Sequence, residues 1–188
     1  MENNSGDFDE SVEFVETYAI LMLGAKPLPV PSILHLQKEL FVLSKVNPEI
    51  QKHFDFRAHY KGPFSQILNN IIEDSVHTKD AFDIKENKII LDKNGLETFR
   101  RLLKEHEKSP KLKETLIQME FIRRLYDGLN NKELLFLIYD TYKEFPERSL
   151  VSNKILNNIF LTNKIIESLF KKSFITYDKF FELKKKYA

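Results

Sequence analysis

The chain has no cysteine and no tryptophan, and only five of its 188 residues are glycine. Without cysteine there is no disulfide, thiolate nucleophile or iron–sulfur cluster, and no zinc site that needs sulfur. Five glycines leave little material for phosphate-cradling loops, and neither a P-loop nor a G-x-G-x-x-G pattern occurs. Net charge is nearly absent: 29 basic and 28 acidic residues leave +1. That balance excludes a nucleic-acid binder working through a uniformly basic surface, although not a local basic patch. The longest early charge-free stretch, residues 17–25, has nine residues, against the roughly 18 that a bilayer span needs. Residues 1–25 hold six acids (Glu2, Asp7, Asp9, Glu10, Glu13, Glu16) and no Lys or Arg, the reverse of a secretory signal's positive start. A cytoplasmic protein with no membrane attachment is expected.

What is present is core material. Hydrophobic residues make up 42% and charged residues 30% of the chain, a balance that suits a folded domain and not a disordered one. Apolar residues recur at helical spacing. Val12, Val15, Tyr18 and Met22 predict a first helix capped by Asp7 or Asp9 and stopped by Gly24. Three alternating prolines, Pro27, Pro29 and Pro31, predict a stiff connector. Ser32 then caps a helix carrying Ile33, Leu36, Leu40 and Leu43, and Asn47-Pro48 opens a short helical turn reaching Phe54. Residues 54–65 predict an extended segment that turns at Gly62-Pro63 into a helix from Phe64 to Val76. A hairpin (82–84 with 88–91, joined by 85–87) follows, and Asn94-Gly95 closes it before a helix from Leu96. The second half predicts only helices: from Ser109-Pro110, from an Asn130/Glu133 capping box to Pro146, and over 151–160, 163–172 and 177–187. The expected fold is mainly α: a compact multi-helix domain with a small β-hairpin and a winged-helix-like element in its first half. It is a single domain over 1–188, or two lobes (10–106 and 109–188) meeting near Glu107–Lys111.

No catalytic constellation stands out. The five histidines form no H-x-x-x-H or HExxH pair, so no metal site is expected, nor any cofactor. Asp55, His59 and Ser65 supply the residue types of a nucleophilic triad, but nothing resembling a nucleophile elbow surrounds Ser65, which reads more simply as a helix cap. A non-enzymatic protein is expected.

Two stretches are basic. Residues 85–113 and 171–188 each carry +4, against an acidic head of −6 over the first 25 residues. The helix preceding the hairpin holds Glu73 and Asp74 but no Lys or Arg, which makes it a poor reader of DNA. The candidate nucleic-acid contacts are therefore Lys85, Lys88 and Lys93 around the hairpin, with Lys154 and Lys164 in a second helix-turn-helix candidate at 149–175. Asn157, Asn158 and Asn163 of that second candidate have base-reading chemistry. The competing reading is ordinary solvated lysine. The acidic head and basic tail also suit pairing with each other or with a partner.

One pattern resembles a known family. LQKELFVLSKV (residues 36–46) followed by FDFRAHYKGPFSQIL (residues 54–68) is similar to the uncharacterised YwgA-like proteins and, more distantly, to Panacea domains, the SocA-like antitoxin domain. The matching positions are Leu36, Lys38 and Phe41, then Tyr60, Gly62, Pro63, Phe64 and Ser65. LIYDTYKEFP (residues 137–146) resembles a later Tyr-Pro segment of YwgA-like chains. It departs from it by placing Lys143, Glu144 and Phe145 between Tyr142 and Pro146, and Lys61 is likewise inserted between Tyr60 and Gly62. The resemblance implies a helical domain that acts by binding a protein partner, antitoxin-like in the Panacea case. By their chemistry, Gly62, Pro63 and Phe64 suit either a structural turn or a rigid contact surface. The expected function is a non-enzymatic protein-interaction module, with a winged-helix-like DNA-binding regulator as the alternative and a homo-oligomer left open.

Overall fold

The computed structural model describes residues 4–145 and 150–188. In chain order the elements are α1 (Asn4–Gly24), α2 (Ile33–Ser44), α3 (Pro48–Phe54), β1 (Arg57–His59), β2 (Gly62–Phe64), α4 (Gln66–Glu73), β3 (Phe82–Lys85) and β4 (Lys88–Leu91). They continue with α5 (Lys93–Glu105), α6 (Pro110–Tyr126), α7 (Asn131–Thr141), α8 (Leu150–Leu156), α9 (Ile159–Lys171) and α10 (Tyr177–Lys186). The chain is mainly helical, and the described residues hold two small antiparallel hairpins and no closed sheet. No helix among the described residues is long and apolar enough to cross a membrane.

Two compact units divide it: Met1–Phe56 with Ser65–Asp127, and Arg57–Phe64 with Gly128–Ala188. The division after Asp127 keeps α5 and α6 together, and the short β1–β2 hairpin belongs with the C-terminal helices.

The first unit is built around α1. Val15, Ala19 and Met22 are fully buried and Val12 nearly so, with α4, α3, α5 and α6 packed around the helix. The helix begins at Asn4, so Asp9 lies inside it and neither Asp7 nor Asp9 is its cap. Gly24 ends it, but not by a left-handed backbone: a Cβ there would sit 2.4 Å from the Phe99 ring, so the glycine admits α5. The capping serines and asparagines act locally. Ser32, Asn47, Ser65 and Ser109 each accept a backbone N–H in the first turn of α2, α3, α4 and α6.

Two expected boundaries move. α4 ends at Glu73 and not near Val76, because buried Glu16 of α1 captures the backbone that follows. Its carboxylate accepts the N–H groups of Val76, His77 and Thr78 at 2.8, 3.0 and 2.5 Å. Asn94-Gly95 does not close the hairpin but forms the first turn of α5. A Cβ at Gly95 would meet the Ala81 carbonyl oxygen at 2.2 Å, so only glycine lets this turn approach.

The β3–β4 hairpin closes through a two-residue turn, Glu86-Asn87, with φ of 52° and 67°. Val30, between the prolines, pairs with Ile89 of β4 through two 2.9 Å hydrogen bonds. In chain order, the Val30 bridge lies between α1 and α2, and the β3–β4 hairpin follows α4.

The second unit packs α7, α8, α9 and α10 with β1–β2. Asn130 and Glu133 form the expected capping box at α7. Residues 157–158 divide α8 from α9. Asn158 caps α9 by accepting the Leu161 N–H at 3.0 Å, so Ile159 and Phe160 begin α9 instead of ending a helix over 151–160. The expected stop at Pro146 lies outside the described residues; α7 already ends at Thr141.

Candidate functional site

The family-motif residues act mainly as structure. Lys38 and Phe41 are buried in α2, and Phe41 meets Phe56 edge-on at 5.5 Å. Their neighbour Gln37 grips Ser65 by both ends of its amide. Gln37 Nε2 donates to the Ser65 carbonyl and Oε1 accepts the Ser65 N–H, each at 2.9 Å. Ser65 Oγ in turn accepts the Leu68 N–H at 3.3 Å. Ser65 is thus a buried joint between α2 and α4.

In the second unit, the expected turn at Gly62-Pro63 lies two residues earlier. Tyr60-Lys61 makes it, while Gly62 and Pro63 are buried in β2, opposite His59 and Ala58. The inserted Lys61 supplies the second turn residue, and Gly62 takes φ of +82°, where any other residue is strained. His59 stacks on Phe64 at 4.8 Å and lies against Tyr60 at 4.2 Å. Tyr60 is the one exposed aromatic side chain of this set.

The candidate nucleic-acid lysines fall in different units. Lys85, Lys88 and Lys93 surround the hairpin of the first, Lys85 and Lys88 as cross-strand partners, and Lys85 pairs with Asp83 at 2.5 Å. Lys154 is exposed on α8 and Lys164 lies over the Phe160 ring at 4.3 Å, both in the second. Asn158 is spent as a cap, and Ser149 of the second helix-turn-helix candidate lies outside the described residues. The face of α4 that would enter a groove is uncharged or acidic: Gln66 donates to Asn70 and Asn69 to Glu73.

The basic tail is largely neutralised within its own unit. Lys172 pairs with Glu133, Lys184 with Glu167, Lys179 with Glu182, and Lys186 with Asp140. Lys171 and Lys185 are the tail lysines without an ion pair among the described residues. The tail was expected to pair with the acidic head or with a partner; four of its lysines pair instead with acids of α7, α9 and α10.

Two features of the first unit were not among the sequence-based expectations. One is a buried charge cluster at the C-terminal end of α1. Arg123 of α6 is wholly buried; its guanidinium donates to the carbonyls of Met22 (3.1 Å), Leu23 (3.3 Å) and Leu28 (2.5 Å) and to both oxygens of Asp127 (3.0 and 3.2 Å). These carbonyls include ones a helix end leaves without partners. Lys26 also donates to Asp127 at 2.7 Å. Glu39 of α2 completes the cluster. It is fully buried, 3.8 Å from Arg123 Nε, and neither oxygen accepts a hydrogen bond among the described residues. Burial, reinforced by the negative charge of Asp127 and only partly offset by Arg123, holds its carboxyl well above the usual range.

The other feature is the outward face of α6. The inner face carries the buried Met119 and Ile122. A second stripe, Ile117, Phe121 and Leu125, repeats every four residues on the solvent side, and Ile117 and Phe121 are 68% and 61% exposed. A helix apolar on two faces ordinarily has two neighbours. The polar residues beside this stripe are mostly self-paired, Arg124 with Glu120 at 2.6 Å and Gln118 with Glu114 at 3.3 Å. Lys111 and Lys113, near its N-terminal end, form no ion pair among the described residues.

No group of three or more metal-ligating side chains occurs among the described residues. No family model, curated protein or solved structure matches the chain.

Proposed function

We propose that the chain is a non-enzymatic protein-interaction module whose docking surface is the outer face of α6. The carrying observation is the exposed Ile117–Phe121–Leu125 stripe on a helix whose other face is already packed. Three large apolar side chains at one-turn spacing are the surface against which an amphipathic helix packs. Charge selects the occupant. The uncommitted Lys111 and Lys113 at one end favour a partner helix with acidic residues beside its apolar face. The resemblance of residues 36–46 and 54–68 to YwgA-like and Panacea proteins supports action by protein contact, in the antitoxin-like manner of the latter.

The test places a photo-crosslinking amino acid at Phe121 in the full chain, with a control at exposed Glu105, and maps the captured segment in cells of the source organism. Capture of an acidic amphipathic helix at 121 and not at 105, lost in Ile117→Asp, is the expected result. Capture only of a second copy of the chain, or nothing beyond the control, overturns the reading.

A winged-helix-like DNA-binding role is the second reading, favoured by the Val30–Ile89 bridge and by Lys85 and Lys88 on the hairpin. Titration of duplex DNA binding against salt decides it. Phosphate contacts strengthen steeply as salt falls, so no binding at about 50 mM removes this reading.

A further inference from the structure

Beyond the α6 face, and independently of it, the first unit holds a cleft of about 420 Å³ between the proline segment, β4 and α5. Leu23, Leu28, Leu91, Leu96 and Phe99 line it, together with the exposed Arg100. Leu28 of the proline segment and Leu96 of α5 are 58% and 40% exposed. The volume falls within the ordinary range for small-ligand sites.

The backbone of the cleft wall is unusual. Ile89 exchanges both its hydrogen bonds with Val30, so its N–H and C=O point away from β3. Alternation along an antiparallel strand turns the N–H and C=O of Leu91 the same way. Consistently, Asp92 between strand and helix turns back to donate to Ala81 on the β3 side. Continuing the Val30–Ile89 register places Leu28 opposite Leu91. Among the described residues Leu28 does not pair there, and its carbonyl is drawn off by Arg123 at 2.5 Å. A donor and an acceptor on a strand edge therefore face the cleft at the position Leu28 would fill.

We infer that this cleft binds the C-terminal residues of a peptide chain ending in an apolar side chain. Three features each require one part of such a ligand. The Leu91 N–H and C=O take the ligand's backbone as one more bridge on the β4 edge, a short form of strand addition. The walls of Leu28, Leu96 and Phe99 take its terminal side chain. Arg100, which holds no acidic partner among the described residues, takes the terminal carboxylate. The other cation of the lining, Lys26, is already neutralised by Asp127. A free apolar acid would satisfy the walls and Arg100 but leave the Leu91 pair without an amide partner, so the peptide is the better fit.

The test uses isotope-labelled full chain and short peptides ending in Leu, Ile or Phe, each as free acid and as C-terminal amide, with decanoate as the free-acid probe. The expected result is binding of the acid peptides with NMR shifts centred on Leu28, Leu91, Leu96 and Arg100. Amidation and Arg100→Gln should each weaken binding about tenfold, while Arg101→Gln, on the same exposed helix, should not. Equal binding of acids and amides, shifts centred elsewhere, binding of decanoate alone, or no peptide bound at about 1 mM overturns the assignment. Arg100 is exposed, so its substitution tests binding without unfolding the chain.

Discussion

Arg123 donates to the Leu28 carbonyl at 2.5 Å across 95 positions of sequence. That bond, with those to Met22 and Leu23, ties the exit of α1 and the proline segment to α6. Removing the guanidinium strands buried carbonyls and leaves Glu39 and Asp127 facing each other without their main counter-charge. Arg123→Met should therefore destabilise the first unit by about 3–5 kcal/mol in denaturant unfolding. Adding Glu39→Leu and Asp127→Leu should recover most of the loss, since burying apolar groups in place of the whole cluster removes the unpaired charges. A triple variant no more stable than Arg123→Met would show that the carbonyl bonds, and not the charges, dominate.

Glu39 makes stability depend on pH in the less familiar direction. Its carboxyl binds a proton more tightly in the folded chain than in the unfolded one. The native state therefore loses stability as pH rises from the ordinary glutamate value towards the folded one, where the buried group must ionise. Glu39→Gln keeps the shape and removes the charge. It should leave the melting temperature near pH 5 almost unchanged and raise it near pH 8 to 9. A lower melting temperature for the variant at the alkaline end would mean that the ionised carboxylate is stabilised by Arg123 more than burial costs it.

Gly95→Ala should be destabilising although alanine is the better helix former by about 1 kcal/mol. The added Cβ would meet a backbone oxygen, that of Ala81, and no side-chain rotation can relieve the contact. α5 would have to lift from the hairpin, at a cost of about 1–3 kcal/mol. Thermal unfolding of the single variant settles the sign.

Local chemistry was legible in the sequence; distant pairing was not. Ser32, Asn47, Ser65, Ser109 and Asn130 announced their helices because a cap answers to backbone two or three residues away. The roles of Glu16, Gln37 and Arg123 left no local signal, since their partners lie from 28 to 101 positions off. Gly95 was misread for the same reason: its constraint comes from Ala81 across the hairpin, not from its neighbours. The break between α8 and α9 was expected at 161–162 and falls at 157–158, where Asn158, one of two adjacent asparagines, is the cap. Of the surfaces, the outer stripe of α6 was open to the same periodicity argument as the inner one. The Leu91 edge was hidden, because strand parity needs the Val30 bridge to be known.

In the second unit, Glu133 closes the α7 capping box, accepts from Ser168 Oγ at 2.6 Å and pairs with Lys172 at 2.7 Å. Burial alone would raise its carboxyl, but the bonds from Lys172, Ser168 and the Asn130 N–H outweigh burial and hold it below the usual range. Asp140 behaves alike: burial is overcome by Lys186 and the Tyr187 hydroxyl, which fasten α10 to α7. A carboxylate lowered in this way stabilises the fold above its unfolded pKa, and the contribution disappears as pH falls through the folded value. Glu133→Gln should cost about 1–2 kcal/mol at pH 7, measured as hydrogen exchange of α7 and α9 amides. The gap to the parent should shrink as pH drops below about 4.5, where the unfolded glutamate protonates. A gap unchanged between pH 7 and the acid limit would locate the effect in packing and not in charge. Lys172→Met, which removes the cation but keeps the stem, should reproduce the loss at pH 7 in part and likewise fade in acid.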